Sequence, residues 1–284
     1  MNWQILLSFS VLSYAGATLA QRLLLKDAET DPVAVAIFEP ILTSFLVCLF
    51  IFWKGFSFNG FGAILPNIAL MTAIYAAGSV FYFKAVKLIE ASEFTIVFTA
   101  RSLFTIAGAT LILGEKFNLL QMVGALLIIV SIVVISFEKK RAALKFRKGE
   151  LYAISAAILF GLGFVNDAYI LQRFDATLYL VLTMIFPALG VWVFNPKAAV
   201  KAKVFLNMRV LPKLVLLSSF FAVSGVSYFL AYQDGHNAAQ LSALDQTATI
   251  IAVVLAIIFL RERDNLWKKV IGAIISFIGV LLLR

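Results

Sequence analysis

Ten apolar runs, each about twenty residues long and separated by short polar connections, dominate the chain. A helix needs about 20 mainly apolar residues to cross roughly 30 Å of hydrocarbon, and only helices and closed barrels satisfy their backbone there. The runs are continuous rather than alternating, so they predict helices. The predicted spans are 3–25, 33–53, 64–86, 92–113, 119–137, 150–171, 176–194, 211–233, 238–260 and 266–283. A chain that is 62% hydrophobic and 14% charged, with a mean hydropathy of +0.99, fits a membrane protein and not a soluble domain. The connections leave no room for a soluble catalytic domain.

The chain repeats itself. LGEKFNLLQMVGA at 113–125 returns as LRERDNLWKKVIGA at 260–273, with Glu115 falling on Glu262 and Gly124-Ala125 on Gly272-Ala273. Further back, Gly16 answers Gly161, Pro40 answers Pro187, ILP at 64–66 answers VLP at 210–212, and Gly78 answers Gly225. The order is the same in both halves, which points to duplication of a five-helix unit. The domain boundaries are 1–137 for the first repeat, 138–149 for a basic linker and 150–284 for the second. Five is odd, so the second copy must cross the membrane in the opposite sense, the inverted repeat found in many secondary transporters.

Inversion predicts that matched loops face opposite sides and differ in charge. The loop at 54–63 has Lys54 alone, whereas 195–213 has Lys197, Lys201, Lys203, Arg209 and Lys213; Lys116 stands alone at 114–118, against Arg261, Arg263, Lys268 and Lys269. One side collects 19 Lys and Arg and the other four, with Arg101 inside a span. The positive-inside rule places the 19 in the cytoplasm and both termini outside. The net charge of +9 is thereby explained by retention of loops and implies no nucleic-acid partner. ATLAQ at 17–21 imitates a signal-peptide cleavage site, but MNWQ carries no basic residue, so a retained first helix is expected. Cys48 is alone within a span and can form neither an internal disulfide nor a cysteine metal site.

The pair LILGEKFNLLQMVGALLIIVSIVVI and IIFLRERDNLWKKVIGAIISFIGVLLL, each a helix end, a Glu-containing turn and a Gly-Ala helix, resembles the drug/metabolite transporter superfamily, in the branch with two EamA-like repeats. The resemblance implies an all-α polytopic membrane protein of ten transmembrane helices in two inverted five-helix repeats, with helices 5 and 10 on the periphery. It is almost silent about substrate. Many relatives have cytoplasmic termini, and the charge count here gives the opposite orientation.

Ionisable residues at the centre of a span cost about 2.5–3.5 kcal/mol on insertion scales, so each needs a partner or a wet cavity. Glu39, Arg101, Asp167 and Asp245 are the four that stand out. Arg101 is either the partner of Glu39 in a structural ion pair or an anchor for an anionic or zwitterionic substrate, which its guanidinium can grip bidentately. Ser242, Asp245, Gln246 and Thr249 step by three and four and form one polar stripe. Asp245 is either a substrate or proton site or a helix-to-helix hydrogen bond. Asn166 and Asp167 are expected near a helix end, where an interfacial position costs little. Thr72, Tyr75, Ser79 and Tyr82, and Ser224, Ser227, Tyr228 and Tyr232, line helix faces that either border a pathway or pack. Ala153, Ala157, Gly161, Gly272, Ser276 and Gly279 are expected to permit close helix packing.

The sequence has no HExxH, Walker or GxSxG motif and one histidine, so no enzyme, cofactor or metal is expected. The function expected is secondary transport of a small polar metabolite by alternating access, coupled to protons or to exchange. The alternatives are export of amphipathic or cationic compounds and, from another class, a lipid-handling or scaffolding membrane protein. The expected partners are a small-molecule substrate and the lipid bilayer; the expected setting is a prokaryotic plasma membrane, as monomer or homodimer.

Overall fold

The computed structural model describes residues 3–55, 57–113, 118–138, 143–144, 146–171, 174–235, 247–262 and 264–282. The chain runs α1 (Trp3–Leu25), α2 (Pro32–Lys54), α3 (Phe61–Leu88), α4 (Ala91–Phe98), α5 (Arg101–Leu113) and α6 (Leu119–Ser136). A two-residue antiparallel pair, β1 (Phe137–Glu138) with β2 (Ala143–Leu144), precedes α7 (Lys148–Leu171) and α8 (Ala176–Phe194). The short α9 (Pro196–Val200) and a 3-10 turn at Lys201–Leu206 lead to α10 (Leu211–Gly235), α11 (Thr247–Phe259) and α12 (Leu266–Leu282). Among the described residues six helices are long and apolar enough to cross a membrane: α1, α2, α3, α7, α8 and α10. Shorter apolar helices cover 119–135 and 247–259.

Local chemistry sets several ends. Asp31 caps α2, accepting from Val33 N (2.8 Å) and Ala34 N (3.1 Å), with Pro32 in the first turn; Gly55, at φ 86°, ends the same helix. Asp175 caps α8 through Leu178 N (2.8 Å). Glu150 reaches back to Arg147 N (2.7 Å) at the start of α7.

The predicted helix 92–113 is broken. At Thr99 and Ala100 the ladder tightens, with Thr99 N to Ile96 O (3.3 Å) and Ala100 N to Val97 O (3.1 Å). No proline causes this. Thr99 Oγ1 donates to Ile96 O (2.6 Å) and lies 2.6 Å from Ser276 Oγ on α12, so a hydroxyl tied to another helix competes for the local carbonyl.

Packing interleaves the halves. α1 lies on α10 and α3 on α7; α2 faces α8, and α6 faces α12. Exchanging α1, α2, α3 and α6 for α7, α8, α10 and α12 maps this pattern onto itself. The α6–α12 crossing is close: a Cβ on Gly124 would lie 2.6 Å from Gly279 O, and one on Gly279 would lie 2.9 Å from Gly124 O. The outer face of α6, including Leu120, Leu126 and Ile129, is exposed. That arrangement suits a peripheral helix whose outer face meets lipid.

Candidate functional site

The break between α4 and α5 places Arg101 at the first residue of α5. Its guanidinium lies over the rings of Phe98 (4.9 Å) and Phe164 (5.6 Å), the approach of a cation to an aromatic face. A cavity of about 10 Å³, room for about one water, adjoins it. The lining comes from four elements: Tyr14 and Thr18 on α1, Phe94 and Thr95 on α4, Arg101 on α5, and Thr249 on α11, with Phe98 and Thr99 beside the break. Both halves of the chain therefore contribute.

One wall is aromatic. Phe94 and Phe98 stack at 5.2 Å, and Tyr82 meets them edge-on at 4.7 and 5.2 Å. Phe160 joins Tyr75 (5.1 Å), Tyr82 (5.9 Å) and Phe98 (5.5 Å). The Tyr82 hydroxyl donates to Gln21 Oε1 (3.0 Å), and Gln21 is fully buried with its Nε2 lacking a partner. Tyr14, Thr18 and Gln21 step by four and three along α1. The spacing that singled out the stripes on the third, eighth and ninth predicted spans could have found this one too.

Glu39 is buried on α2, where Thr43 Oγ1 donates to its Oε1 (2.6 Å) and Ser218 Oγ to its backbone oxygen (3.3 Å). It makes no ion pair with Arg101. The ion-pair reading of Arg101 and Glu39 is therefore replaced by a carboxyl that rests on a hydroxyl one turn along.

Asp167, one turn before the end of α7, is held by phenols from two neighbouring helices. Tyr75 on α3 donates to its Oδ2 and Tyr179 on α8 to its Oδ1, each at 2.5 Å. Gly163 makes room for this, since a Cβ there would lie 2.6 Å from the Tyr75 ring. Beside it, Asn67 Nδ2 donates to Asn166 Oδ1 (2.7 Å) and Asn166 Nδ2 to Asn67 O (3.0 Å). A polar knot thus ties α3, α7 and α8.

Of the other expected site residues, Thr249 joins the Arg101 cavity, Ser79 is half-buried outside both groups, and Tyr228 packs with Leu6, Leu7 and Ala231 near the start of α1. Ser242, Asp245 and Gln246 lie outside the described residues.

Residues from five connections meet at one end of the helices. Lys201 pairs with Asp31 (2.5 Å), Lys213 with Asp27 (2.6 Å) and Lys269 with Glu90. Arg147 pairs with Glu93 and with Glu150 (3.2 Å). Glu262 accepts from Ala91 N (3.0 Å), Ser92 N (3.1 Å) and Ser92 Oγ (2.8 Å), while Arg22 stands 3.8 Å away. Glu90, at the N-cap of α4, makes no side-chain cap bond, so a carboxylate from the second half caps this helix of the first.

The sequence profile of the EamA-like transporter family matches residues 1–137 and again 147–284. The chain belongs to this family. The EamA-like protein is thus a helical membrane protein of the drug/metabolite transporter superfamily, carrying two EamA repeats. No curated protein matches it. A solved structure described as "Crystal structure of protein" is similar over 89% of this chain and 97% of its own, at 16% identity and a TM-score of 0.48. Among the described residues, no group of three or more His, Cys, Asp or Glu could hold a metal ion.

Proposed function

We propose that this EamA-like protein is a secondary transporter of a small polar anion or zwitterion, working by alternating access between two inverted repeats of five spans each. The observation that carries the reading is Arg101, at a helix break inside a cavity to which both halves contribute. Discontinuous helices at a repeat interface are where such carriers hold substrate. A carboxylate or phosphate would meet the guanidinium on one side, while the Thr18, Thr95 and Thr99 hydroxyls, which donate to Tyr14 O, Ala91 O and Ile96 O in this conformer, would have to turn to serve it.

The paired charges at one end hold the halves together there. A carrier that alternates must part them, so this conformer is read as closed on the basic, cytoplasmic side, with both termini outside. Without a nucleotide site the driving force is a gradient or exchange. Asp245, beside Ser242, Gln246 and Thr249 in the ninth predicted span, is the preferred proton carrier, and Glu39 the second. A cationic substrate is the second reading, favoured by Asp167 between Tyr75 and Tyr179.

Proteoliposomes carrying the full-length chain test this. Flux of anionic metabolites should be saturable, and Arg101→Ala should raise KM by about tenfold or more, the loss of one charge-assisted contact of roughly 1.5–3 kcal/mol. Asp245→Asn should abolish pH-driven net flux and retain exchange. Equal KM for anions in wild type and Arg101→Ala would remove the anion reading, and uptake of amines lost in Asp167→Asn would establish the cationic one.

A further inference from the structure

The connection of residues 195–210 joins α8 to α10, two helices long and apolar enough to span, so it lies at the membrane surface. It is folded, and it has two faces. Ala198, Phe205 and Val210 point inward, with the Phe205 ring 5.5 Å from Phe38 on α2. Outward stand Val200, Leu206 and Met208, the last two 78% exposed, interleaved with exposed Lys197, Lys203 and Arg209. Among the described residues these three cations pair with no carboxylate, unlike Lys201 and Lys213, which are tied to Asp31 and Asp27.

A cleft of about 370 Å³ opens between this connection and the start of α2. Its lining includes Phe194, Lys197, Lys201 and Asp31. The Asp31 carboxylate does not repel an anion strongly, because its charge is engaged. Burial would raise its pKa, but hydrogen bonds from Lys201 and from the N–H groups of Ala34 and Val33 outweigh burial and hold it below the ordinary value. The cleft thus offers ammonium groups at headgroup depth and, in Phe194, an exposed ring on the side where acyl chains lie.

We propose that this connection is a binding site for anionic phospholipid. The phosphate sits against Lys197 and Lys201 in the cleft, and Lys203 and Arg209 meet neighbouring headgroups. Leu206 and Met208 enter the acyl boundary. Exposed apolar side chains and the exposed cations beside them are both satisfied by one ligand, an anionic bilayer surface.

The test uses the full-length chain in detergent, titrated with phosphatidylglycerol or phosphatidylcholine and read by native mass spectrometry. Phosphatidylglycerol should bind more tightly, and Lys197→Gln, Lys203→Gln and Arg209→Gln together should weaken it by about fivefold per charge removed. Removing the same charge elsewhere on that face, with Lys26→Gln, Lys148→Gln and Arg261→Gln, should leave phosphatidylglycerol binding intact. Equal binding of the two lipids to wild type, equal losses in the two triple variants, or displacement of the lipid by millimolar inorganic phosphate would each overturn the proposal.

Discussion

Asp167 receives two phenolic hydrogen bonds from two different helices, so removing either phenol leaves an enclosed carboxyl short of a donor. Leaving one buried polar group unsatisfied costs about 1–3 kcal/mol. Tyr75→Phe and Tyr179→Phe should each lower the thermal stability of the detergent-purified protein by that order, and the double variant by an amount that departs from the sum, because the two bind one carboxylate and are coupled through it. Unfolding scans of the three variants check this; wild-type stability in both single variants would reduce the knot to incidental contact. Spacing in the sequence could not reveal the knot, since it reports which side chains share one helix face and is blind to partners such as Tyr75 and Tyr179 that only packing brings to α7. Arg101 was legible for the opposite reason. A guanidinium in the middle of an apolar run stands out unaided, and the one error attached to it was the choice of Glu39 as its alternative partner.

Six of the helices were legible as elements because their apolar runs are long enough to cross the bilayer; the interruption of the fourth run was not. The break at Thr99 and Ala100 has no glycine or proline to announce it and depends on Ser276, which is 177 residues away in the chain. The same helix depends on the second half at its other end, where Glu262 supplies the cap that Glu90 does not. Glu262→Ala would leave Ala91 and Ser92 without an acceptor and Arg22 without its counter-charge in an enclosed place. Removing one partner of a buried pair costs about 3–5 kcal/mol, far above the roughly 0–1 kcal/mol of the more exposed Lys201–Asp31 pair. Hydrogen exchange of the backbone across 89–100 should therefore accelerate in Glu262→Ala and stay unchanged in Lys201→Gln; equal protection in the two variants would show that Glu262 does not hold α4. The Asp31 cap of α2 has a pH signature. Its folded pKa is depressed, so its contribution is present above the unfolded value of about 3.9 and is lost as pH falls through the folded value. The loss of stability on acidification over that range should shrink in Asp31→Asn, which keeps a capping oxygen but does not titrate, and an unchanged acid limb would assign the loss to other carboxylates.

At the scale of the whole molecule, the charge pattern and the packing pattern are independent and agree on one point. The five connections rich in Lys and Arg meet at one end of the helices, where their side chains pair across the halves. Successive spans that alternate in direction would bring every second connection to the same end, as this requires. The pattern predicts that the connection near Asn59 and the one near Asn207 lie on opposite sides of the membrane, with Asn207 in the cytoplasm. Cys48 is the chain's single cysteine, so replacing it with Ser clears the background for a site-directed test. In intact cells a membrane-impermeant maleimide should label Asn59→Cys and leave Asn207→Cys unlabelled until the cells are opened. Labelling of Asn207→Cys alone would keep the alternation and reverse the orientation, placing the termini inside as in many relatives. Labelling of both from outside would be more serious, because two connections separated by an odd number of crossings cannot share a side, and the arrangement of two inverted five-span repeats would have to be abandoned.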